Sequence, residues 1–406
     1  MAESDSHALV FGAAGLLGWA TLNQLLSNYP STNPFPRVTA VLNRPVPEPD
    51  LYLPSGPDRP SLQIISKIDL MHEDGYDLAN QLRERVDGVE GVTHVFYFVF
   101  SPVTDNHEKE VQQNCAMMQR VVDALNITCP KMQSFVYPGG SRGYGIYEPS
   151  GIFSPPLTES LANKLPPSYA KTVSYPWFRK LLTEASKGKD KDKDNGKNWT
   201  WTWTEICPDA VVGFTPNGSG YSLALHWAQY LSLYAFNHGA EIGEGKEVEI
   251  PFPGNEAGYR SLFTPVSGRI LGRIAIHAAL NPGQCGGKVI NMLDCDKPVS
   301  MSEMWPGIAA WLGLKGVGPV GDEDVLKPGE YIEKHAHLFE ENGRPKGLTC
   351  GVGAGNNQLD AYGWWLGFDR HFSPDRLRSV GFTEQRDPIK GWLEAFEGLG
   401  KAGIIF

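Results

Sequence analysis

Seven residues near the start of the chain, Gly12-Ala-Ala-Gly15-Leu-Leu-Gly18, constrain the fold more than any other stretch. They follow a short apolar run at 8–11 and open onto residues 17–26, whose apolar positions recur at three- and four-residue intervals. That order predicts a strand, a tight turn and a helix. Gly12 suits the turn, Gly15 lets the backbone approach a pyrophosphate, and Gly18 permits close packing of helix on strand. The start of the helix offers unpaired N–H groups and a positive dipole end to an anion. Gly12, Ala14, Gly15, Leu16, Leu17 and Gly18 are therefore expected to bind a nucleotide. Glycines that serve only as turns are the competing reading, and their place between strand and helix argues against it.

The same rhythm continues to about residue 207. Strands are expected at 8–11, 38–42, 62–65, 94–98, 134–137 and 202–206, with helices at 17–26, 76–86, 109–125 and 177–185 between them. Alternation of this kind gives an α/β fold, a Rossmann doubly wound parallel sheet. After Pro208 the texture changes, and helices are expected at 223–236, 268–280, 301–312 and 356–366. The predicted division is a nucleotide-binding domain at 1–207 and a smaller, mostly helical substrate lobe at 208–406, some of it returning to the sheet. Residues 187–198 (KGKDKDKDNGKN) read as a solvated loop.

The end of the second strand selects the cofactor. NAD binders commonly place a carboxylate there for the ribose 2′-OH. This chain has Asn43-Arg44-Pro45 instead. A guanidinium at that point suits a 2′-phosphate, so NADPH is expected. Asp69, after the third strand, is either an acceptor for the adenine amino group or a helix cap. Leu70, Phe98, Tyr137, Pro208 and Val211, at or just past strand ends, complete the expected cofactor-binding set.

A formal net charge of −10 argues against nucleic acid or an anionic membrane as a partner. There is no run of 18 apolar residues, and the N-terminus does not read as a secretory signal. Six scattered cysteines without a C-x-x-C pair fit reduced thiols, so a cytoplasmic protein is expected. His335-Ala-His337 lacks an obvious third ligand, and no metal is expected. A homodimer is compatible with the sequence.

From here the chain resembles a known family. Its landmarks run in order: GAAGLLG, LNRP at 42–45, VTHVFYFVF at 92–100, Tyr137-Pro-Gly-Gly-Ser-Arg-Gly-Tyr144, PPLTE at 155–159, SYPW at 174–177, WTEICP at 203–208, GFTP at 213–216 and GWWLGFDRHFSPDRLRSVGF at 363–382. Together they resemble the plant progesterone 5β-reductase and iridoid synthase group, an atypical branch of the extended short-chain dehydrogenases. The resemblance implies hydride transfer from NADPH to the β-carbon of an enone or enal, with a Tyr and a Lys stabilising the enolate oxygen. By position it implies Tyr175 for the Tyr. The family's Lys aligns with Arg142 or is absent, and Phe100 stands where the family has Trp. An ordinary Tyr-x-x-x-Lys is missing, because Tyr175 is followed four residues later by Arg179 and then by Lys180. Tyr169-Ala-Lys171 is a second nearby pair, and Tyr144 a further phenol. Phe100, Tyr144, Phe214 and Trp365 are the expected substrate contacts, and the aromatic residues of the C-terminal lobe suit an apolar small molecule. Three activities stay open: an NADPH-dependent reductase of an activated C=C or C=O bond, a non-redox isomerase or cyclase using Tyr175 and Arg142, and a non-catalytic NADP(H) sensor.

Overall fold

The computed structural model describes residues 6–31, 34–72, 74–103, 106–187, 201–219, 221–240, 247–321, 327–349 and 361–406. Its first strand, β1 (His7–Phe11), is entirely buried, as a strand covered on both faces must be. Around it lie β2 (Arg37–Val41), β3 (Ser61–Ile65), β4 (Val92–Tyr97), β5 (Ser134–Pro138) and β6 (Thr202–Pro208). Three short strands follow, β7 (Ala210–Val212), β8 (Val248–Pro251) and β9 (Pro265–Ser267), and then β10 (Lys288–Met292) and β11 (Leu314–Val317). The main sheet has seven strands in the order β10-β6-β5-β4-β1-β2-β3. All its pairings are parallel, with Phe11 opposite both Val41 and Tyr97. The expected doubly wound α/β sheet is therefore present. Strand order reverses between β1 and β4, and the chain leaves these two strands toward opposite faces. That opens a crevice above their C-terminal ends.

Helices α1 (Leu16–Leu26), α2 (Gly75–Arg85) and α3 (His107–Thr128) lie close to the expected spans. They start in different ways. The Asp74 side chain accepts from the N–H groups of Tyr76 and Asp77 and caps α2, and Asn106 accepts from Lys109 N–H and caps α3. At α1 the N-cap is Gly15, which has no side chain to offer, and the first turn carries no acidic residue. Only α1 among these three leaves its leading N–H groups to an outside acceptor.

Helices at Leu223–His238, Gly268–Leu280 and Met301–Ala310 appear where the periodicity placed them. Of the helix expected at 356–366, residues 356–360 lie outside the described residues, and Ala361–Trp365 form one π-helical turn. All of the charged stretch at 187–198 except Lys187 is likewise outside. The C-terminal half is not helical alone. It supplies β10 to the sheet edge beside β6 and pairs β7 with β9 and β8 with β11.

Among the described residues, no helix is long and apolar enough to cross a membrane, and no cluster of three or more His, Cys, Asp or Glu side chains could hold a metal ion. Cys115, Cys129, Cys207, Cys285 and Cys295 are free thiols, and Cys350 lies outside the described residues.

Candidate active site

The crevice holds two adjoining cavities. The first, of about 710 Å³, is floored by the glycine-rich turn and the ends of β2, β3 and β4. Gly12 has φ +72°, and a Cβ there would meet Phe98 O at 2.5 Å, so only glycine lets β1 turn this close to β4. A Cβ on Gly18 would lie inside the contact distance of Gly12 O. Gly18 is thus a packing residue that brings α1 onto the turn, and it does not line the cavity. Gly12, Ala14, Gly15, Asn43, Arg44, Asp69, Leu70 and Phe98 all line it. Arg44 is exposed, makes no ion pair among the described residues, and follows a strand end without a carboxylate. Asp69 accepts from Met71 N–H at 2.8 Å, a local turn in place of a helix cap. The uncapped α1, the glycine floor and the exposed Arg44 fit a dinucleotide: N–H groups for the pyrophosphate, close backbone approach, and a cation beyond the ribose.

The second cavity, of about 840 Å³, lies over β5, β6 and β7 and has the more apolar walls. Gly15, Phe98, Val99 and Phe100 line both cavities, so the two form one cleft. Leu16, Leu17, Arg142, Tyr175, Pro208, Val211 and Trp365 of the expected set face the second cavity. Tyr175 opens the helix Tyr175–Ser186 against the turn after β5. Cβ atoms placed on Gly140 and Gly143 would meet its Oη at 2.9 Å and its ring at 3.0 Å. Those two glycines make the room that the phenol occupies. Burial raises its pKa well above 10, while nearby Arg142 pulls the other way, so it is a neutral hydrogen-bond donor. Its hydroxyl makes no hydrogen bond among the described residues and borders the cleft.

Arg142 is held from two sides. Nη1 donates to Glu110 Oε1 at 2.5 Å and Nη2 to Thr172 O at 2.6 Å. Burial works against its charge, but Glu110 outweighs burial and the guanidinium pKa is raised. The expected oxyanion partner is therefore a rigid cation already half neutralised by a buried carboxylate. Sequence spacing carries no hint of Glu110, which lies 32 residues away on another element.

Besides Gly18, three expected contacts do not reach the cleft. The Tyr137 side chain is fully buried and donates to Glu205 Oε2 at 2.8 Å. The Tyr144 hydroxyl donates to Asn291 Oδ1 at 2.6 Å beneath the sheet ends. Phe214 packs edge-on against Trp19 in the core, with ring centroids 4.8 Å apart. Each is an apolar ring at a strand end or loop, and burial of its area outweighs exposure in the cleft. The alternative catalytic pairs also separate. Tyr169 donates to Arg142 O, Lys171 is exposed and bridges Glu108, and Arg179 is paired with buried Glu205.

Tyr147, Asp209, Tyr221, Lys327 and Lys346 line the cleft and were not singled out in the sequence. Tyr147 packs against Trp365 at 5.4 Å and Tyr221 against Phe100 at 6.3 Å, forming an exposed aromatic rim. Asp209, its pKa raised by burial and held back by Arg370, forms a fully buried pair with that residue at 3.6 Å behind the wall.

Residues 8–406 match the family of PRISE-like Rossmann-fold domains. Among curated relatives, the short chain dehydrogenase sirQ of Leptosphaeria maculans is 28% identical over 411 residues, which cover 98% of this chain and 97% of that one. The short chain dehydrogenase ausT of Aspergillus calidoustus is also 28% identical, covering 99% and 95%. Among solved structures, the GDP-mannoheptose C4 reductase MlghC of Campylobacter jejuni with NADP bound superposes with a TM-score of 0.57 at 12% identity, over 98% of this chain and 100% of that one. The UDP-glucuronic acid 4-epimerase of Bacillus cereus in complex with NAD gives 0.54 at 15%, over 97% and 99%. At such identities the structural likeness is one of fold.

Proposed function

The chain belongs to the PRISE-like Rossmann-fold family, and from that membership we propose that it is an NADPH-dependent reductase of an activated C=C or C=O bond on an apolar small molecule. The family match bears out the resemblance carried by the ordered motifs from Gly12 to Phe382. Relatives named short chain dehydrogenases support a redox role. The observation that carries the proposal is the junction of the two cavities. Tyr175 and Arg142 stand on the apolar side of a shared wall made by Gly15, Phe98, Val99 and Phe100.

Bound in the first cavity, NADPH supplies hydride. The chain's own residues do the rest. Tyr175, neutral and desolvated, donates a hydrogen bond to the oxygen that gains negative charge. Arg142 adds a fixed positive potential without giving up a proton, since a guanidinium stays charged. With an enone, hydride from the cofactor would be added at the β-carbon, and the α-carbon would then take a proton from water. The aromatic rim of Tyr147, Tyr221 and Trp365 favours an apolar substrate. Arg44 favours NADPH over NADH.

The test is a fluorescence titration with NADPH and with NADH, repeated with a simple enone while cofactor oxidation is followed at its absorbance. Selective NADPH binding with oxidation is the expected result. Selective binding with turnover but no oxidation would replace the reductase with a non-redox enzyme.

A further inference from the structure

The nucleotide cavity has a wall that comes from the far end of the chain. Lys346 lines it together with Arg44 and Asp50. The Lys346 backbone is held from below. Buried Gln229 donates to Gly347 O at 2.9 Å, and a Cβ on Gly347 would meet the Phe339 ring at 2.5 Å. The tip is held from above, where Nζ donates to Tyr52 Oη at 2.9 Å and lies 5.1 Å over that ring. Tyr52 in turn ends the 3₁₀ turn Glu48–Leu51 that follows Arg44. Trp19 Nε1 donates to Leu51 O at 2.7 Å, which fastens that turn to α1. The ammonium is thus delivered by a built chain of contacts to the loop that carries Arg44.

Charge makes the arrangement specific. The charged residues that line the cavity are Arg44, Asp50, Asp69 and Lys346, so Arg44 by itself is outnumbered by carboxylates. Lys346 evens that count in a chain whose formal net charge is −10. A phosphate monoester close to dianionic needs that second cation, whereas a ribose hydroxyl does not. A compact ammonium beside a planar guanidinium also divides the work. The guanidinium makes paired hydrogen bonds, and the ammonium acts as a point charge.

We infer that Lys346 is the second cation of the cofactor's ribose 2′-phosphate site, reaching it from the C-terminal half and acting with Arg44. The inference rests on the NADPH reading above. It makes cofactor choice depend on a residue outside the βαβ region, and it couples occupancy of the site to the seating of the Lys346–Thr349 helix.

The experiment is a parallel titration of wild type, Lys346→Gln and Lys346→Arg with NADPH and NADH. Lys346→Gln keeps most of the stem and the hydrogen-bonding tip but removes the charge. NADPH affinity is expected to fall about tenfold in Lys346→Gln, with NADH affinity changed less than about twofold and Lys346→Arg close to wild type. Adding salt should narrow the gap between wild type and Lys346→Gln. An equal loss of both cofactors, or no loss of either, overturns the role of Lys346 while leaving the cofactor reading in place. A wild type that does not prefer NADPH overturns the cofactor reading itself. If Lys346→Gln is poorly folded, Tyr52→Phe removes only the hydroxyl that holds Nζ. It should weaken NADPH about threefold and spare NADH, and equal binding of NADPH to wild type and Tyr52→Phe would count against the inference.

Discussion

The two halves of the cleft are built on different plans. The nucleotide half is mostly backbone: a glycine turn, an uncapped helix start and the ends of neighbouring strands β1 to β4. The reaction half is side chains gathered from distant segments, with Arg142, Tyr175, Asp209, Tyr221 and Trp365 converging from separate elements. Backbone geometry tolerates few substitutions, because a Cβ on Gly12 or Gly18 collides with main chain. Side-chain chemistry can be rewritten while the frame stays. Here Arg142 is the cation beside Tyr175, and buried Glu110 accompanies it.

The comparison is tested hardest at Arg142. Arg142→Ala strands Glu110, whose side chain is 6% exposed, without its partner. Stability in urea unfolding should drop by about 3–5 kcal/mol, and the double change with Glu110→Gln should recover much of it. A loss below about 1 kcal/mol would mean that the pair is not the buried unit described here. Tyr175→Phe comes next, with turnover lowered about 100- to 1,000-fold and NADPH affinity within about twofold of wild type. An unchanged rate would shift the donor role to Tyr147, since the Tyr144 and Tyr169 hydroxyls are already engaged. Arg44→Ala probes the other half. It should weaken NADPH about tenfold or more and NADH hardly at all, without changing the rate at saturating cofactor. Equal weakening of both would remove its proposed selectivity.

The smallest effect is in the pH profile. Because burial pushes the Tyr175 phenol up, its donor form persists through neutral and mildly alkaline solution. Turnover at saturating cofactor should show no alkaline limb from this group between about pH 6 and 9. A fall with a midpoint near 8 that disappears in Tyr175→Phe would show a phenol far more acidic than its surroundings allow.

Legibility in the sequence follows the same divide. The strand run at 202–206 and the helix at 268–280 were readable because their apolar periods reflect local geometry. Arg44 was readable because strand-end chemistry is a local rule. Tyr137, Tyr144 and Phe214 went the other way. A ring near a strand end looks alike whether it faces ligand or core, and here partners such as Glu205, Asn291 and Trp19 draw the rings inward.

By itself the sequence determined the α/β order, the glycine turn and the absence of a carboxylate after β2, since each depends on residues adjacent in the chain. Only the tertiary structure decided which phenols border the cleft, that Glu110 pairs with Arg142, and that Lys346 lines the same cavity as Arg44. Those residues come from segments as far apart as 302 positions, from Arg44 to Lys346. Pairings of that kind are fixed by how layers pack and which charges share a buried space, and no local period or spacing records them.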